Sequence, residues 1–273
     1  MNESQIKEKY PADQFLPVLI SEVTRMSMGN YCVAGWDIHA RRMVRPLQSS
    51  GANWKLMAFP LQSSDANGDA AADRTIFSVG HLVNCLPTGR KNSVYPHATE
   101  DLLLSGAPSF LERFDESGTY ALLLPATFQS IQQLFGRALV DGKYVQNGTN
   151  CNSLGGVRAA RRQIGFLEDS FGKLRLQLQD VDGVVYRLPV TCDWLQHLFS
   201  PSDEDAEPHF GVAEANEWLC VNPPDTDIIL RIGLARGWSG KDRSWHPPRC
   251  YAQLNGIVCP QDNYHVFAGP PSS

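Results

Sequence analysis

Short β-prone runs divided by turn dipeptides constrain this chain more than any other feature of its sequence. Leu174, Leu176 and Leu178 alternate with Arg175 and Gln177, the period-two pattern of a half-buried strand. Asp182-Gly183 then separates that run from VVYRLPV, a strong hairpin signal. The pattern recurs along the chain. FLPVLISEVTR (15–25) reads as a strand, Met28-Gly29-Asn30 as a turn, and YCVAGWDIHARRMVRPL (31–47) as two strands joined near His39 and Ala40. IFSVGHLVNCL (76–86), TYALLLP (119–125), VRAARRQIGFLED, DIILRIGLARGW (227–238) and PRCYAQLNGIVC (248–259) continue it. Helical signals are fewer. Thr99 and Ser109 open candidate short helices in YPHATEDLLL and PSFLERFDE. Phe128, Ile131, Leu134 and Phe135 have helical spacing with Gly136 as a stop, and CDWLQHLF and AEANEWLC also read as helices. Many short antiparallel strands favour small barrels or a sandwich over parallel βαβ units. The expectation is a mainly β fold with a few short helices.

At 273 residues the chain is long enough for two such units. Each half offers several strands followed by short helices. Residues 1–14 read as a tail or short arm, 15–125 as a first barrel and 126–273 as a second, with the last strands free to return to the first. Residues 48–73 are small and polar, a long loop for a compact domain. Apolar residues at 42% and charged ones at 19% exclude a wholly disordered chain. No apolar run reaches the roughly 20 residues of a membrane helix, and the polar start lacks a signal-peptide core. Seven irregularly spaced cysteines predict reduced thiols, hence a cytoplasmic protein with no membrane partner.

Charge is placed unevenly. With 24 Lys and Arg against 29 Asp and Glu the net is −5, which excludes a globally basic nucleic-acid binder. Eight of the acids lie between Ser200 and Asp227, a stretch without Lys or Arg, leaving the remainder at +3. Arginines interleaved with aromatics suit single-stranded nucleic acid, because guanidinium groups hold phosphates while rings stack on bases. Arg41, Arg42 and Arg45 accompany Trp36; Arg231 and Arg236 accompany Trp238 and Trp245; and Arg158, Arg161 and Arg162 follow Gly155-Gly156. Solvated strand faces and core tryptophans explain the same letters without a ligand, and from composition alone that plainer explanation leads. Catalytic and metal motifs are missing: there is no GxSxG elbow, Walker loop, HExxH, Rossmann fingerprint or CxxC pair. His97, Glu100 and Asp101 stand together, enough for acid–base or metal chemistry. A helix start capped by Thr99 accounts for them structurally and is preferred. No catalytic residue, metal or cofactor is therefore expected.

The ordered set of phrases resembles the dual OB-containing domain, a family of bacterial proteins. CVAGWDIHARRMVRPL resembles its opening strand–turn–strand ending in Arg45-Pro46, and FSVGHLVNCLP its next strand. YPHATEDLLL resembles the following segment, although His97 here follows Pro96 instead of preceding a proline. YRLPVTCDW resembles a strand ending in a "VTD" phrase, interrupted by Cys192, and LRIGLARGW and CYAQLNGIV the terminal pair. Residues 63–73 and the acidic 201–207 stretch depart from the pattern. The resemblance implies two tandem OB-like β-barrels and a non-enzymatic nucleic-acid-binding role, as sensor or adaptor in a bacterial anti-phage defence system. It implies no catalytic residues. The alternative expectation is a protein-interaction module that docks a partner effector without itself touching nucleic acid.

Overall fold

A computed structural model describes residues 1–55, 75–91, 94–199 and 211–261. Residues 63–73 and 201–207, singled out above as departures, lie outside the described residues. The chain is mainly β with short helices.

The first half builds one seven-stranded sheet. Its strands are β1 (Pro17–Arg25), β2 (Tyr31–Asp37), β3 (Arg42–Leu47), β4 (His81–Asn84), β5 (Pro87–Lys91), β6 (Asp101–Leu104) and β7 (Ser109–Arg113), in the order β5-β6-β3-β2-β1-β4-β7. Local chemistry makes the reversals. Met28 and Gly29 both take positive φ between β1 and β2. Asp37 Oδ1 accepts from the His39 and Ala40 amides at 3.0 and 2.9 Å, closing the β2–β3 turn where the sequence predicts it. β3 runs parallel to β6, whereas β1 pairs antiparallel with both β2 and β4. Only Cys85 and Leu86 separate β4 from β5; the former pairs with β1 and the latter with β6, so the sheet curls back on itself. Gly35, opposite Ile20 in the β1–β2 pair, lets the strands approach closely: an added Cβ would stand 2.4 Å from the Leu19 carbonyl oxygen.

The second half follows α2 (Glu116–Leu123). It comprises β8 (Thr127–Phe128), α3 (Ile131–Phe135), β9 (Tyr144–Gln146), β10 (Leu154–Ala160), β11 (Ile164–Glu168), β12 (Leu174–Gln179), β13 (Val185–Pro189), α4 (Asp193–Phe199), α5 (Val212–Cys220), β14 (Asp227–Leu234) and β15 (Arg249–Val258). One sheet runs β8-β10-β14-β15-β9 and the other β11-β12-β13. They join because β10 leads into β11 across residues 161–163, and because Val190, just after β13, bridges in parallel to Leu254 of β15. The Asp182-Gly183 hairpin forms as predicted, with Val185 opposite Gln179 and Gly183 at φ 75°.

Four sequence expectations change. The N-terminal stretch read as a tail or arm contains α1 (Glu3–Lys9), closed by an Asn2–Gln5 capping box and anchored by the fully buried Ile6. YPHATEDLLL makes one helical turn at 97–99 and then strand β6, because Asp101–Leu104 is captured by β3. PSFLERFDE forms β7, paired with β4, instead of a helix. TYALLLP, expected as a strand, lies mostly in α2: Asp115 caps the helix by accepting from the Gly118 amide, and that start overrides the β-prone letters.

Three apolar clusters hold the molecule. One lies within the first sheet, around Val18, Ile20, Val33, Val83 and Leu104. A second fills the C-terminal half, around Leu134, Val157, Leu176, Trp218 and Leu254. The third gathers Ile6, Leu19, Trp36 and Leu82 from one half with Ile229 and Val258 from the other. All seven cysteines are free thiols. Among the described residues no helix is long and apolar enough to cross a membrane.

Candidate nucleic-acid interface

An ion network is buried where the halves meet. β3 carries Arg45 inward, and the start of β6 brings Asp101 under it. Arg45 Nη1 donates to Asp101 Oδ1 at 2.6 Å and faces His97 Nδ1 at 3.1 Å, while its Nη2 donates to Ser153 Oγ at 3.3 Å. Glu100 accepts from the Ser153 amide at 2.7 Å and from Ser153 Oγ at 3.0 Å. Arg236, just past β14, donates to the other Asp101 oxygen at 2.9 Å. Burial, reinforced by the charges of Arg45 and Arg236, pushes the His97 imidazole down to about 3, so it is neutral at pH 7. A second buried pair lies nearby: Arg231 Nη2 is 3.6 Å from Glu22 Oε1, and both side chains are 1% exposed. Desolvation raises the Glu22 carboxyl and lowers the Arg231 guanidinium, each offset by the other's charge.

Most polar atoms of the network are paired within it, although Arg45 Nε and His97 Nε2 are buried without a hydrogen-bond partner among the described residues. His97 is 1% exposed, the Asp101 side chain is fully covered, and Glu100 is clamped by Ser153. The three residues that stand together in the sequence are drawn into buried contacts where the halves meet. No group of His, Cys, Asp and Glu fit to hold a metal occurs among the described residues.

The arginines named from sequence therefore part ways. Arg45 and Arg231 are interior and face carboxylates, which removes them from any surface; their strands are apolar on both sides and carry them inward. Arg158 and Arg162 pair with Asp227 (3.4 Å) and with Asp225, so the end of the acidic stretch meets two arginines of this cluster at the surface. Arg161 Nη1 points to the Cys220 thiol at 3.4 Å. Arg41 is exposed at φ 52° and lies 3.6 Å from Glu3 of α1. Arg236 is half exposed at the rim of the network. Arg42 is exposed and, among the described residues, pairs with no carboxylate. Trp36 is 8% exposed and belongs to the shared core.

Arg41 and Arg42 line a cleft of about 1110 Å³. Arg90, Tyr95 and Trp36 also line it, and Phe128 and Asn152 come from the second half. Arg90 is exposed and likewise has no carboxylate partner among the described residues. Tyr95 is 42% exposed. The sequence reading missed both, although a basic Arg90-Lys91 step four residues before an aromatic was a usable signal.

A separate aromatic cluster lies at the β14–β15 loop. Trp238 is 48% exposed and meets Trp245 edge-on, with centroids 5.0 Å apart. Arg249 sits between the Trp245 and Tyr144 rings, at 4.1 and 4.6 Å from their centroids. Of the three tryptophans named from sequence, Trp238 and Trp245 are brought together and Trp36 is set apart. Compared with protein-family models, curated proteins and solved structures, the chain matches none.

Proposed function

We propose that the chain is a non-enzymatic nucleic-acid-binding protein made of two OB-type barrels, of the dual OB-containing kind, acting as sensor or adaptor in a bacterial defence system. Strand pairing supports the barrels. An OB barrel is a five-stranded Greek-key barrel that binds through its second and third strands and the loops beside them. In the first half β1, β2 and β3 form a meander, β6 runs parallel to β3, and the bent β4–β5 ribbon links β6 back to β1. The second half has a comparable strand order, which supports a second barrel. β11, β12 and β13 form the meander, with β10 leading into β11; α4 and α5 follow, one bridge from Val190 to Leu254 joins the end of β13 to β15 in parallel, and β14 links β15 to β10.

One observation carries the binding role: exposed Arg42 and Arg90, uncompensated among the described residues, line the same cleft as the half-exposed Tyr95. Cations spaced along a groove with an aromatic wall suit a phosphate backbone whose bases are free to stack. The cleft floor adds little repulsion, because Asp101 is neutralised by two arginines and Glu100 is hydrogen-bonded.

Anisotropy with labelled oligo(dT), oligo(rU) and tRNA tests this over a salt series. Affinity should fall as salt rises, by a slope of about 0.7 per phosphate contacted on a single strand. The Arg42→Glu/Arg90→Glu double variant should bind at least tenfold more weakly, with a shallower slope. Equal binding by that variant, or no binding of any polymer at low salt, ends the proposal.

A second reading, docking of a partner effector, is favoured by one finding: Arg45, Arg231, Arg158 and Arg162 are all committed to carboxylates. Replacing Asp203, Glu204, Asp205 and Glu207 with their amides separates the two. Loss of a co-purifying effector with no change in oligonucleotide affinity supports docking; an unchanged effector speaks against it.

A further inference from the structure

We propose that the loop between β14 and β15 carries a stacking platform for one nucleobase of a bound single strand, with Trp238 as its contact surface. The proposal rests on the nucleic-acid reading above and adds a site outside the cleft. Trp238 is open yet held firmly. Its backbone N–H donates to the Arg249 carbonyl at 3.0 Å and its carbonyl accepts from the Arg249 N–H at 2.9 Å. Its ring packs edge-on against Trp245 at 86° and lies 6.3 Å from Tyr251. The loop is tied to itself as well: the Trp245 amide donates to the Ser239 carbonyl at 3.0 Å, and Gly240, at φ 87°, lies under the Trp245 ring. A large aromatic side chain left half in water by a rigid loop costs little ordering entropy when a flat ring lands on it.

The surroundings select the ligand. The inner position of the aromatic cluster is already filled by the Arg249 guanidinium, so the cluster is not an empty trap for a cation. Arg236, Lys241 and Arg243 are exposed on the same loop. The loop's single acid, Asp242, accepts two hydrogen bonds from Ser244, which hold its carboxyl below the usual range. A partner with a flat π face and a negative charge fits this mixture, and a nucleotide unit has both.

Anisotropy with a short labelled oligo(dA), together with tryptophan quenching by AMP, tests the platform. Trp238→Ala should weaken oligo(dA) binding about tenfold, as stacking losses of this kind do. It should also remove the AMP-dependent quenching. Trp238→Phe should stay within about threefold of the parent, since a flat ring remains. Arg42→Glu/Arg90→Glu should weaken the oligonucleotide yet leave AMP quenching intact. If Trp238→Ala binds oligo(dA) like the parent while the cleft variant is impaired, the platform is wrong and the cleft stands. A parent chain that binds neither probe overturns both.

Discussion

Asp101 is the residue on which the most charge depends. It receives Arg45 and Arg236 on separate oxygens, at 2.6 and 2.9 Å, with its side chain fully covered. Removing one partner of a buried pair leaves an uncompensated charge. Asp101→Ala should therefore lower unfolding free energy by roughly 3–5 kcal/mol in urea titrations. His97 gives a pH signature. Its folded pKa near 3 lies below the ordinary value of about 6.5, so the unfolded chain binds its proton first. The neutral ring's stabilisation is complete above pH 6.5 and declines as pH falls from there toward 3. Urea titrations in that window should show the parent losing up to about 1.4 kcal/mol per pH unit relative to His97→Asn. An identical pH dependence in both proteins contradicts the burial argument. The fate of Arg45 and Arg231 was partly legible. Each is flanked by apolar neighbours, Val44 and Pro46 or Leu230 and Ile232, and a strand that is apolar without alternation is buried on both faces.

Besides apolar packing, helix α5 is hydrogen-bonded to strand β11 through one side chain. Asn216 accepts from the Phe166 amide at 2.8 Å and donates to the Phe166 carbonyl at 3.0 Å, so it completes the strand's hydrogen bonding where no neighbouring strand does. Asn216→Ala leaves both backbone groups without that partner and should cost about 1–3 kcal/mol, read from the urea midpoint. The β1–β2 pair has a tighter constraint. A methyl at Gly35 meets backbone, which cannot rotate away, so Gly35→Ala should destabilise by about 1–3 kcal/mol in the same assay. Strands with clean alternation or a turn dipeptide, such as β12 and β13, were readable in the sequence. TYALLLP was not, because a single capping aspartate decided between helix and strand.

The two halves share structure across their boundary. Ile229 and Val258 complete a cluster begun by Ile6, Leu19 and Trp36, and Arg236 reaches Asp101. Calorimetry should accordingly record one transition whose van't Hoff and calorimetric enthalpies agree. Two resolved transitions count against a shared core.

Amino-acid order alone determined the cleanly alternating strands, the turns with clear turn dipeptides and how charge is distributed along the chain, because alternation and turn chemistry act over a few neighbouring residues. Tertiary structure decided which cations reach water. Arg45 and Arg236 find Asp101 from 56 and 135 residues away, and no local pattern records which distant carboxylate a strand will meet. Opposite charges brought into a low-dielectric interior must pair, so packing, more than composition, sorted these arginines into those that brace the fold and those left for a ligand.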